Sequence, residues 1–93
     1  MPQLLRFGPY RIYFWSNEGQ PLEPSHVHIS NGIPSSDATK VWITQNKRAL
    51  LANPNDKRIA SKILNRLVEM IEAQSDDIIA AWLERFGTIE YYC

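Results

Sequence analysis

The sequence predicts an α+β fold: an antiparallel sheet of three or four strands followed by two C-terminal helices packed on one face, in one domain spanning residues 1–93. Helix-breaking residues point to the sheet. Three of the four glycines and five of the six prolines stand before position 35, where they separate short runs of β-branched and aromatic residues. Apolar periodicity points to the helices, because it changes from two residues to between three and four from Asn55 onward.

Leu4 to Phe7 is a short candidate first strand. Tyr10 to Trp15, reading YRIYFW, is almost wholly β-branched or aromatic and predicts a strand. Ser16 to Pro24 is a loop by its Asn, Gly and two prolines. His26 to Ser30 alternates cleanly, Asn31-Gly32 opens a turn, and Lys40 to Thr44 alternates again. From Asn55, the residues Ile59, Ala60, Ile63, Leu64, Leu67, Val68, Met70 and Ile71 occupy about half of a helical wheel. Asn53 or Asn55 is the expected cap, with Asp56 in the first turn. Ile78, Ile79, Trp82, Leu83 and Phe86 form a second stripe, which one straight helix would rotate by roughly 80° from the first. With Ser75-Asp76-Asp77 as a new cap, two helices with a tight bend are expected over about Asp56 to Phe86, and Gly87 as the last cap.

Composition excludes several classes. Ten Lys+Arg against ten Asp+Glu rule out a polycation, so any nucleic-acid surface needs local segregation of charge. One cysteine, Cys93, forms no internal disulfide and reads as an inert thiol. No apolar leader core and no run near 20 apolar residues is present, so a cytoplasmic protein without membrane contact is expected.

Alternation sorts the strands into two faces. Tyr10, Ile12, Phe14, Val27, Ile29, Val41 and Ile43 share the face that the helices should cover. Arg11, Tyr13, Trp15, His26, His28, Ser30, Lys40, Trp42 and Thr44 share the other. That second face reads in three ways: a solvated sheet surface, a single-stranded RNA platform, or a dock for a partner protein. For RNA, Arg11 and Lys40 would bind phosphate while Tyr13, Trp15 and Trp42 stack on bases.

His26-Val27-His28 is the most chemical feature. Residues i and i+2 on a strand share a face with Cβ atoms about 7 Å apart. Two imidazoles so placed can act as acid and base at one phosphate. Behind that stands a metal site, which would need a third ligand from Glu18, Glu23 or Asp37. Set against both is a structural or recognition use, in which one imidazole bonds a loop carbonyl and orients the other. Glu23 reads either as a loop glutamate in solvent or as a carboxylate held near the first imidazole by Pro24, and Ser16 and Glu18 in the preceding loop can reach the same pocket. Both histidines are expected to be exposed to a groove beside the Ser16–Glu23 loop. No cofactor or bound metal is expected.

Arg6 to Gly19, then Glu23-Pro24-Ser25-His26-Val27-His28-Ile29, Lys40-Val41-Trp42-Ile43, Ile79-Ala80-Ala81-Trp82 and Phe86-Gly87, resemble the domain-of-unknown-function-4160 family. Ser25, where a second proline is expected, and Gln45 to Asn55 depart from its pattern. The family's small bacterial members are often encoded beside a protein of the domain-of-unknown-function-2442 family. The resemblance therefore implies a toxin-like component of a two-gene toxin–antitoxin pair, with a cognate antitoxin-like small protein as partner. Ribonuclease action through His26 and His28 would rest on the face described above, with RNA as the target. A non-enzymatic interaction module, antitoxin or regulatory, is the alternative.

Overall fold

In the computed structural model, which describes residues 3–15, 23–33, 38–56 and 58–93, the first half of the chain is an antiparallel meander. Ser16, Glu18, Asp37 and the loop from 16 to 22 lie outside the described residues. Among the described residues the sheet has five strands in sequence order: β1 (Gln3–Phe7), β2 (Tyr10–Tyr13), β3 (His26–Asn31), β4 (Thr39–Ile43) and β5 (Ala49–Leu51). Two helices follow, α1 (Ser61–Ala73) and α2 (Ser75–Phe86).

The turns follow from single residues. Gly8, at φ 57°, starts the two-residue turn between β1 and β2, and Pro9 accepts a bond from the Gly32 N–H at 2.9 Å. β5 corrects the expected three or four strands. Its hairpin closes through the Thr44 N–H, which donates to Arg48 O at 2.9 Å, and the Arg48 N–H, which donates to Thr44 Oγ1 at 3.0 Å, with Lys47 at φ 64°. Lysine stands where a glycine would have announced the turn, and the strand itself is only three residues long.

Helix α1 starts at Ser61, not near Asp56. The Asp56 carboxylate accepts the Arg58 N–H at 2.9 Å and grips the Arg58 guanidinium at 3.1 and 2.9 Å, a local turn that competes with helix. Ile59 still reaches the core from this turn. No side chain caps α1 at Ala60. The bend between helices falls at Gln74, whose N–H closes α1 and whose carbonyl accepts the first bond of α2. Ser75 is therefore the buried first residue of α2 and not its cap, while Asp76 and Asp77 occupy the first turn as expected. Gly87, at φ 77°, caps α2 by donating to Leu83 O at 2.8 Å.

The core forms where the helices meet the sheet. Ile12, Val27, Ile29, Val41 and Ile43 pack with Ile59, Leu64, Leu67, Ile71 and Ile78. Glu72 pins α1 to β5 by accepting the Ala49 N–H and the Arg48 Nε, each at 3.0 Å. Those two donors, the Ala49 N–H first, hold the Glu72 carboxyl below its ordinary range. Lys47 pairs with Asp76 at 2.6 Å, which raises the lysine and ties the hairpin loop to α2. Among the described residues no helix is long and apolar enough to cross a membrane.

Candidate functional site

Register assembles the second face into rungs. Tyr13 lies opposite His28 and His28 opposite Lys40; His26 lies opposite Trp42 and Trp42 opposite Leu50. Arg11 lies between Arg6 and Ser30. Directly opposed residues share a face, so alternation placed Arg11, Tyr13, His26, His28, Lys40 and Trp42 together correctly.

Exposure departs from expectation. His26 is 0% exposed and His28 7%, so the histidines are buried and not presented to an open groove. The reason is a run of rings along the face. Trp15 meets Tyr13 at 5.4 Å between centroids, Tyr13 meets His28 at 5.6 Å, and His28 meets His26 edge to face at 5.0 Å. His26 also touches Trp42 at 5.7 Å and Trp82 of α2 at 5.4 Å. Trp82 in turn packs on Phe14 and Phe86, so one residue of α2 touches both His26 and the residue that follows β2. Tyr13 is fully buried, with its hydroxyl 2.7 Å from Ser30 Oγ, and its ring is closed to stacking by a ligand. Trp15, Trp42, Arg11 and Lys40 are half-buried.

The polar groups are ordered around His26. Its Nδ1 lies 2.8 Å from the Pro24 carbonyl. A carbonyl accepts only, so Nδ1 is the donor of this bond. Nε2 faces Glu23 Oε2 at 3.8 Å, and the same oxygen pairs with Lys40 Nζ at 3.1 Å. The Lys40 ammonium lies 4.3 Å from the Trp42 ring centroid. Glu23 thus stands near the first imidazole while half of its side chain remains in solvent. Among the described residues, no group of three or more ligating side chains is arranged to hold a metal. Two of the three expected third ligands, Glu18 and Asp37, lie outside the described residues.

Two contributors escaped the sequence reading. Arg6 sits across from Arg11 and doubles the positive charge on that rung. The segment 88–93 crosses the end of the sheet: Ser25 N–H donates to Glu90 O at 2.8 Å, Gln45 N–H donates to Cys93 O at 3.0 Å, and Tyr92 stacks on Trp42 at 4.8 Å and 6°. The signal for this was the Tyr91-Tyr92 pair just after the Gly87 stop.

A family profile described as a domain of unknown function, DUF4160, matches residues 10–83. No curated protein and no solved structure matches the chain.

Proposed function

We propose, from the premise that the chain belongs to the DUF4160 family, that it is one member of a bacterial toxin–antitoxin-like gene pair and that it acts by binding its cognate small protein. The observation that carries the interaction reading is the burial of the site. Both imidazoles lie edge to face at 5.0 Å inside a sheath of aromatic rings, leaving no space between them for a phosphate. What reaches solvent on that face is recognition chemistry: Trp15, Trp42, Arg11 and Lys40, residue types that anchor protein interfaces. The test is co-expression with the neighbouring gene product, of the domain-of-unknown-function-2442 type, followed by size exclusion. One shared peak at micromolar concentration is expected, and two separate peaks would refute the pairing. Inducing each gene alone and then both together assigns the growth-inhibiting member.

A second reading, RNA cleavage, is favoured by one arrangement. The Pro24 carbonyl fixes the His26 ring with Nε2 turned toward Glu23, which also pairs with Lys40. Incubating the purified chain with single-stranded RNA tests it. Cleavage that disappears in His26→Gln while the fold is retained would favour this reading, and intact RNA would remove it.

A further inference from the structure

The segment 88–93 is held by groups that belong to the sheet, and it shows what those groups accept. The Ser25 N–H, just before β3, takes the Glu90 carbonyl, and the Gln45 N–H, just past β4, takes the Cys93 carbonyl. Between these bonds the Tyr92 ring lies flat on Trp42 while remaining 56% exposed. Main-chain bonds at two points plus one ring on an aromatic floor thus seat a peptide segment across the ends of β3 and β4. Leu50, opposite Trp42 and exposed, widens that floor. Gly87 sets the segment off from α2 with a left-handed cap, so it leaves the helix at a defined point.

We propose that 88–93 is a stand-in ligand in a peptide-recognition groove. The groove's own ligand is an extended segment of the partner protein carrying an aromatic residue, which displaces Tyr92 from Trp42. This rests on the partner-binding reading above. A peptide is favoured over a nucleic-acid strand because the seated occupant is itself a peptide held through its carbonyls. In addition, Lys40, the cation over Trp42, is already paired with Glu23.

The experiment uses the full chain and a labelled synthetic peptide of residues 88–93, read by fluorescence anisotropy. Tyr92→Ala should bind the peptide about two- to tenfold more tightly than wild type, the equivalent of one aromatic pair removed from competition. Tyr92→Phe keeps a ring on Trp42 and should return to wild-type affinity. Adding the neighbouring gene product should release the peptide. Equal affinity of wild type and Tyr92→Ala would overturn the inference. So would a partner that binds without releasing the peptide, and in that case the partner reading survives. A partner that binds no form of the chain, while the peptide binds Tyr92→Ala, overturns the partner reading and with it this ligand. A Tyr92→Ala chain that dimerises would assign the groove to a second copy. Release of the peptide by a single-stranded oligoribonucleotide would assign it to RNA. Either result refutes the partner segment.

Discussion

Replacing His26 with alanine removes a ring enclosed by Trp42, Trp82 and His28 and leaves the Pro24 carbonyl without its donor. The expected cost is about 2 kcal/mol or more, read as a fall of several degrees in melting temperature. A melting temperature that does not move would show that the His26 ring is not packed as the structure has it. Asp56 and Glu72 set the acid response. The Arg58 side chain, and after it the Arg58 N–H, hold Asp56 below its ordinary range against the desolvation of its nearly buried side chain. Glu72 is lowered by Ala49 and Arg48. A depressed carboxylate adds stability that is fully present above its unfolded value, near 4, and is lost as pH falls through its folded value. Melting temperature should therefore hold from neutrality down to about pH 5 and drop below about pH 4. The double variant Asp56→Asn/Glu72→Gln should start lower and lose less on acidification. If it tracks wild type at every pH, these carboxylates do not carry the response.

Among the elements, α1 owes its place to a stripe at spacings of three and four, Leu64, Leu67 and Ile71, all buried against the sheet. Leu67 has no exposed surface, so Leu67→Ala should destabilise the chain by ~2–5 kcal/mol in denaturant melts. Loss below about 0.5 kcal/mol would mean α1 does not dock on this face. Helix periodicity was legible because it repeats over many residues. β5 was not, because three residues show no period and its turn uses Lys47 in a conformation glycine usually takes. The start of α1 was misplaced for a related reason. Ile59 belongs to the apolar stripe by position, but the Asp56 carboxylate offers the backbone a competing hydrogen bond two residues on.

For the whole molecule, the helices cover one side of the sheet while the rings, Trp82 and the segment 88–93 close the end of the other. The core cluster takes no residue from 88–93, so a chain stopped after Gly87 should still unfold cooperatively. Its melting temperature should be lowered and its tryptophan fluorescence more readily quenched by acrylamide, because Trp42 loses its cover. Unchanged quenching would show that Tyr92 does not shield Trp42 in solution. The sidedness of every strand residue at the site was decided by the sequence itself, because alternation is a property of neighbouring residues and needs no partner to be read. Which of those residues face solvent was decided only by the tertiary structure. One of the rings that enclose His26 arrives from position 82, and the cover on Trp42 from position 92, each more than 45 residues away along the chain. No local pattern carries the contact of Trp82 with His26 or the return of the chain after Gly87. Burial depends on where distant segments come to rest, so an alternating His-x-His pair reads the same whether it lines a groove or a core.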